Sequence, residues 1–348
     1  MSEPVPDPSW RPAGSPPSLW IVVLSYNGLA DTRKCLATLE AAIRPGVVPL
    51  LVDNGSTDDT QQVVAAEFPW CRILRVEQNA GPAAGNNRGI EHALAQGADW
   101  ILLLNNDTTV RPELCERLIE AAAALPEYAV LGPIINYMSE PELVMTDAVV
   151  FNGPAYHGFF ERRVVPPTHQ MPPRAVETDV VNGCCMMIAA AVFRKIGLFD
   201  QAIFIYHDET DFCLRAWEAG FRCGVIDHQL IWHKGSSTFK DTGKRMARYY
   251  DSRNLYYVLR KHGGAPRHGR SRFATAMMWV RYNYYRYCVE REAGFTVSAD
   301  GVLEGMCDAV ARRVGRHAER RRMLLPVLRT LFEALRHRPR RRAVGEAA

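Results

Sequence analysis

The chain has 348 residues, a formal net charge of +4, and a composition 47% hydrophobic and 23% charged. Those proportions fit a folded protein with a sizeable core and exclude collagen-like, coiled-coil and disordered classes. No apolar run nears the roughly 20 residues of a bilayer span, and the opening MSEPVPDPSWRPAGSPP lacks the apolar stretch of a secretory signal. A cytoplasmic protein is therefore expected, either soluble or peripheral on the inner face of the membrane.

Residues 1–17, rich in Pro and Ser, read as a flexible leader. Over the next hundred residues two periods alternate. Short aliphatic runs at Trp20–Leu24, Val48–Val52, Arg72–Val76 and Trp100–Leu104 predict strands. Between them Thr32–Ile43 carries Leu36, Leu39 and Ile43 at helical spacing, and a second helix is predicted over Ala84–Gln96, stopped by Gly97. A third helix starts at Pro112, a residue suited to a first turn. Strands apolar on both faces that alternate with helices predict an α/β fold with a mostly parallel, Rossmann-like sheet flanked by helices. Further on, Phe212–Gly220 reads as a helix, Leu230–Trp232 as a strand, and Arg248–Lys261 and Ser271–Glu292 as helices. The division expected is a leader over 1–17, an α/β domain over 18–240 and a helical extension over 241–348.

Each of the first strands ends in polar turn residues: Ser25-Tyr26-Asn27, Asp53-Asn54-Gly55, Asn79-Ala80-Gly81 and Asn105-Asn106-Asp107. Turns favour such residues, but the carboxyl edge of an open α/β sheet is also where ligands bind. No GxGxxG follows the first strand and no GxxxxGK[ST] occurs, so dinucleotide oxidoreductases and P-loop NTPases lose their main support. The 9 Cys form no Cys-x-x-Cys pair, which points to reduced thiols rather than a zinc ribbon or disulfide scaffold. Asp208, Glu209 and Asp211 form the densest acidic cluster, at the start of a predicted helix whose dipole favours acids there. A carboxylate at that boundary has the chemistry to deprotonate a hydroxyl, whereas Asp211 either caps the helix or pairs with Arg215. Asp107 either caps the next turn or, on its rigid strand, binds a divalent cation together with substrate oxygens.

The ordered set LSYNG, VDNGSTDDT, NAGPAAGNNRGI, LLNNDT, NGCCMM, YHDETDFCLRAWEAGFR and WHKGSS resembles the GT-A glycosyltransferases of family 2, especially the rhamnosyltransferase-like bacterial members, over roughly residues 18–240. The resemblance implies a metal-dependent, inverting transfer of a sugar from a UDP- or dTDP-type donor to the hydroxyl of a saccharide or lipid-linked acceptor. It places Ser25, Asn27, Asp53, Asn79, Gly81, Asn87, Asn105 and Asn106 along the nucleotide-sugar, with Asp53 reading the base. It places Gly183 and Cys184 beneath the acceptor. Asp107 and His233 are implied as holders of Mg²⁺ or Mn²⁺, His233 with a surface or core role as its alternative. Glu209 falls on the catalytic base position, with Asp208 as competitor because the usual Glu-Asp order is reversed here. The family's Asp-x-Asp motif also begins with Asn105 in this chain. Two rivals stay open: a sugar nucleotidyltransferase, and a non-catalytic nucleotide-sugar-binding protein.

Residues 312–342 hold twelve Arg against Glu319 and Glu333, a local net of +10. Leu328, Leu331, Phe332 and Leu335 fit one helical face among them. A basic amphipathic helix suits an anionic membrane, each arginine adding about 1 kcal/mol, and a solvated helix is the alternative. The Tyr residues at 282, 284, 285 and 287 fit either a packed helix bundle or stacking on nucleic acid, and the bundle is favoured.

Overall fold

The computed structural model describes residues 17–151, 156–165, 171–235, 244–262 and 272–337, with the side chains of 150, 151, 156–163 and 272 excepted. The leader expected over 1–17 lies outside the described residues apart from its last position. Two compact units divide the chain, Met1–Thr238 and Phe239–Ala348.

The first unit opens with β1 (Leu19–Ser25), α1 (Leu29–Leu39), β2 (Val47–Asp53), α2 (Thr60–Glu67), β3 (Arg72–Arg75), α3 (Pro82–Ala95) and β4 (Trp100–Asn105). These match the predicted alternation, with strand ends shifted by one residue. Helix α1 buries Thr32, Cys35, Leu36 and Leu39, the i, i+3, i+4, i+7 stripe that seats it on the sheet. Helix α3 begins one residue after Gly81 with Pro82 in its first turn and ends before Gly97 at φ 75°.

There follow β5 (Thr108–Val110), α4 (Leu114–Ala124), β6 (Tyr128–Tyr137), β7 (Leu143–Phe151), β8 (Tyr156–Val164), β9 (Ala175–Glu177), β10 (Cys185–Ala189), α5 (Ala190–Ile196), α6 (Asp208–Glu218) and β11 (Arg222–His233). The sheet runs β3-β2-β1-β4-β10-β6-β11-β5, with β7, β8 and β9 attached at the side. Strands β1 to β4 pair in parallel, as the alternation predicts. From β10 onward antiparallel pairs dominate, so the whole sheet is mixed. The core beneath it joins Leu19, Ile21 and Val23 of β1 to Leu36 and Leu39 of α1 and Leu114 and Leu118 of α4, all fully buried. Each such side chain contributes about 1.5–3 kcal/mol.

The second unit is helical: α7 (Lys244–Lys261), α8 (Arg272–Glu292), α9 (Thr296–Val310) and α10 (Leu325–Arg336). On α9, Gly301 and Gly305 lie one turn apart, and a Cβ at either would run into the carbonyl oxygen of Arg245 or Tyr249. Their hydrogens are what allow α7 and α9 to touch along their backbones.

The basic tail differs from a single amphipathic helix. Residues 311–324 are not helical, and Arg322 is buried, with Nη2 2.9 Å from Asp308 Oδ2. Arg313 reaches the same carboxylate at 2.9 Å. Only Leu325–Arg336 forms the predicted helix, and Phe332 on it is buried against Tyr284 and Tyr287. Part of the tail is therefore interior to the second unit; residues 338–348 lie outside the described residues.

Candidate active site

Register brings the strand ends together. Ser25 stands opposite Asp53, and Leu24 opposite Asn105, so the ends of β1, β2 and β4 share one edge. Their polar side chains hold one another. Asn106 Nδ2 donates to Thr32 Oγ1 at 2.9 Å and Ser25 Oγ at 3.4 Å. Asn27, in the left-handed region at φ 48°, accepts from the Thr57 N–H at 2.8 Å. Asn54 Nδ2 donates to Asn79 Oδ1 and to the Gly81 carbonyl, both at 3.2 Å. Asn79 Oδ1 in turn accepts the Gly81 N–H at 2.9 Å.

Asp53 is fully buried at the close of β2. Its Oδ1 accepts the Ser56 N–H at 2.9 Å, and Arg75 Nη1 lies 3.2 Å from Oδ2. The Arg75 guanidinium also donates to Gln61 Oε1 at 2.7 Å, which fixes its orientation. Gly81 sits at φ 93°, and a Cβ there would come within 2.5 Å of the Phe204 ring. Asn87 faces inward instead of toward the edge. Its side-chain amide donates to the Phe199 carbonyl at 2.9 Å and accepts the Phe199 N–H at 3.0 Å, clamping α3 to the segment before α6.

A second group of residues gathers beside Asn105. The Asn105 N–H donates to the Cys184 carbonyl at 2.9 Å, because β10 runs antiparallel to β4 with Cys185 opposite Leu104. The Gly183-Cys184 turn is thereby placed at the same edge. Asp107 follows, 9% exposed, before β5. Strand β11 pairs with β5 so that His233 stands opposite Thr108, and His233 Nε2 lies 3.0 Å from Asp107 Oδ1. The other ring nitrogen, Nδ1, is buried without a hydrogen-bond partner. Lys234 is tied to Asp31 at 2.6 and 2.8 Å, and Arg245 belongs to the second unit, where it pairs with Glu304 at 2.7 Å.

Helix α6 begins at Asp208, and Glu209 on its first turn packs against Gly183, where an added Cβ would lie 3.4 Å from Glu209 Cβ. Asp208 and Glu209 are hydrogen-bonded to each other. Burial, then the neighbouring Asp208 charge, raises the Glu209 carboxyl well above its ordinary value; burial also raises Asp208, against the hydrogen bond from Glu209. Each of these half-buried carboxyls therefore holds a proton more tightly than an isolated carboxyl does. Cys184, buried, has its thiol pushed well up by burial and by the charges of Cys185, Asp107 and Glu209. Asp107 and Glu209 thus both act electrostatically on this one side chain.

Asp211 behaves as the i+4 spacing predicts: it is buried and meets Arg215 Nε at 2.8 Å, while Arg215 also donates to the carbonyls of Ile196 and Leu198. Asp58 is likewise structural, accepting from Thr60 and from the Leu29 N–H. Among the described residues no group of three His, Cys, Asp or Glu could hold a metal. Asp107 and His233 make a two-donor set, which fits a divalent cation that takes its other ligands from phosphate oxygens and water.

Residues 20–197 match the model of Glycosyl transferase family 2. The chain belongs to that family. This glycosyltransferase is 27% identical over 264 residues to the N-acetylglucosaminyl-diphospho-decaprenol L-rhamnosyltransferase of Mycobacterium tuberculosis, covering 70% of the chain and 85% of that protein. It is 23% identical to the dTDP-rhamnosyl transferase RfbF of Shigella flexneri, over 70% of the chain and 80% of that protein. Its fold resembles S. aureus TarS 1–349 in complex with UDP-GlcNAc, at a TM-score of 0.53 and 16% identity, over 84% of this chain and 80% of that one. That likeness is one of fold, the GT-A arrangement, with a helical extension following it. Activity as a glycosyltransferase on nucleotide sugars sets the nucleotidyltransferase and non-catalytic alternatives aside.

Several residues of the glycosyltransferase site escaped the sequence. Asn54 was readable, next to Asp53 in VDNGS, and Arg75 closes a predicted strand. Phe204 had no signal: it covers Gly81 from a segment where Phe204, Tyr206 and His207 all adopt positive φ, at 71°, 64° and 67°. Left-handed non-glycine residues cost about 1–3 kcal/mol each and concentrate at functional sites.

Proposed function

We propose that the enzyme moves a hexose or deoxyhexose from a UDP- or dTDP-sugar onto a hydroxyl of a saccharide or lipid-linked saccharide, with inversion at the anomeric carbon. The observation that carries this reading is the placement of Glu209 against Gly183, of the Cys184 carbonyl on the Asn105 N–H, and of His233 on Asp107, which gathers these groups at the end of β4. The named relatives supply the acceptor class, one acting on a diphospho-decaprenol-linked sugar and another using a dTDP-rhamnosyl donor.

Asp53 accepts the imide N–H of the uracil or thymine base. Ser25, Asn27, Asn79, Gly81, Asn105 and Asn106 line the donor, their side chains pre-set by the network that joins them. Asp107 and His233 hold Mg²⁺ or Mn²⁺, which when bound neutralises charge on the leaving diphosphate. The acceptor hydroxyl rests over Gly183-Cys184. As its oxygen bonds to the anomeric carbon and the bond from that carbon to the diphosphate oxygen breaks, the hydroxyl proton passes to the Asp208–Glu209 pair in its ionised form, with Glu209 as the accepting carboxylate. A base whose proton affinity is raised above that of a free carboxylate is suited to that task.

The test is nucleoside-diphosphate release from a panel of UDP- and dTDP-sugars with a GlcNAc-diphospholipid acceptor, and NMR of the product anomer. Inverted product, and loss of turnover in EDTA restored by Mn²⁺ or Mg²⁺, are expected. A retained anomer would refute the single displacement, and full activity in EDTA would refute the metal role of Asp107 and His233.

A further inference from the structure

Helix α8 is inside out. One edge, with successive residues about a turn apart, is buried: Thr275, Trp279, Asn283, Tyr287 and Glu290. Most of its polar groups are paired, the Trp279 indole N–H donating to the Ser252 carbonyl at 2.8 Å, the Tyr287 hydroxyl to Glu333 at 2.6 Å, and Arg248 to Glu290 Oε1 at 2.6 Å. The opposite edge carries Phe273, Met277, Arg281, Tyr285 and Val289. Its apolar members are exposed by 76%, 44%, 63% and 36% in that order. Phe295 and Val297 extend the apolar surface at the start of α9, 53% and 60% exposed. Single exposed hydrophobics are ordinary, but four on one helix edge around a single arginine make a contact surface.

Charge identifies what covers it. Residues 239–348 hold 25 Lys and Arg against 10 Asp and Glu, a net of +15, which leaves residues 1–238 at −11. Arg281 in the row, and the exposed Arg312, Arg316, Arg320 and Arg321 in the same unit, meet no carboxylate among the described residues. A second copy would bring two surfaces of like sign together. Stacking on single-stranded nucleic acid would need a ladder of free aromatic rings. Tyr287 is buried, Tyr284 packs on Phe332 and the Tyr282 hydroxyl is bound to Asp251 at 2.9 Å, which leaves only Tyr285 of the four exposed.

We propose that the exposed edge of α8 lies on an anionic lipid surface. Phe273, Met277, Tyr285 and Val289 enter the boundary between headgroups and acyl chains, and Arg281 meets lipid phosphates. Basic residues beside an apolar helical edge are the composition of an interfacial helix, and the positive unit adds attraction that salt weakens. The site differs from the tail helix that the sequence alone pointed to, and it does not depend on the sugar-transfer reading.

The test is co-sedimentation of the full chain with vesicles of phosphatidylcholine, with and without phosphatidylglycerol. Binding to the anionic vesicles is expected, with weakening at high salt. Phe273→Ser/Met277→Ser/Tyr285→Ser and, separately, Arg281→Glu should each lower the partition coefficient by about tenfold or more, with unchanged melting temperature. Tyr285→Trp should show a blue-shifted emission that brominated lipid quenches, a readout that needs no loss of binding. No binding to anionic vesicles, equal binding by the serine variant, or no quenching at position 285 would overturn the proposal. A wild-type dimer that the serine variant converts to monomer, without change in vesicle binding, would assign the row to a second copy instead.

Discussion

The two halves of the active site use polar residues in opposite ways. Around β1, β2 and β4, Ser25, Asn27, Asn54, Asn79 and Asn106 bond to one another or to neighbouring backbone. Around β10, α6 and β11, the groups are left under tension: two adjacent half-buried carboxyls are each raised above their ordinary values, and His233 keeps a buried nitrogen without a partner. The network around β1, β2 and β4 fixes geometry before the ligand arrives, although the buried Asn54 Oδ1 has no hydrogen-bond partner. Desolvated acids cost free energy in the folded state, and that cost is recovered only if a reactant or a cation meets them. The contrast fits the roles proposed above, positioning in the first half and chemistry in the second.

The largest effect that would break this contrast is at the pair. Glu209→Gln is expected to lower turnover by about 10²–10⁴-fold, and Asp208→Asn by less, while calorimetric affinity for the nucleoside diphosphate stays near wild type. Unchanged turnover in both would make the base assignment wrong. Asp211 lies two residues on and serves structure alone. Asp211→Ala should cost about 1–3 kcal/mol in urea unfolding, because it removes the carboxylate partner of the half-buried Arg215, which keeps its bonds to the Ile196 and Leu198 carbonyls.

Smaller effects sharpen the positioning half. Asp53→Asn replaces an acceptor with a group that is half donor, and should weaken UDP or dTDP binding by about 1.5–3 kcal/mol with kcat changed far less. The pH dependence of stability separates the halves further. The folded Glu209 carboxyl keeps its proton above the range where an unfolded glutamate, at an ordinary 4.5, has lost it. Its contribution to stability is therefore full below that ordinary value and is lost as pH rises through the raised folded value. Glu209→Gln should gain in melting temperature over wild type as pH rises from about 4 to about 8; a constant difference would show that Glu209 is not held protonated. The smallest effect belongs to the exposed Arg33–Glu67 pair, 2.7 Å apart and far from these groups, where Arg33→Ala should cost about 0–1 kcal/mol.

Local pattern was enough for the first four strands, their polar ends and the acidic start of α6. Strand and helix periods, turn residues and helix-terminal acids are properties of a few neighbouring residues, and a sequence displays them directly. The Arg215 partner of Asp211 was legible for the same reason, being one helical turn away. Asn87 was misjudged by its motif, since its partner Phe199 is 112 residues distant. Nor could the tail be read correctly: the helical period of Leu328–Leu335 is visible, but the burial of Arg322 and Phe332 is not.

Composition and period thus determined by themselves an α/β fold with a basic helical extension, because those are short-range properties of the chain, and the ordered motifs at the strand ends carried the resemblance to a glycosyltransferase family. Tertiary structure alone decided that β10 enters antiparallel beside β4 and sets Gly183 against Glu209, and that β11 returns to lay His233 on Asp107, 126 residues away. Such contacts depend on which strand pairs with which across long loops, and no local propensity encodes that choice.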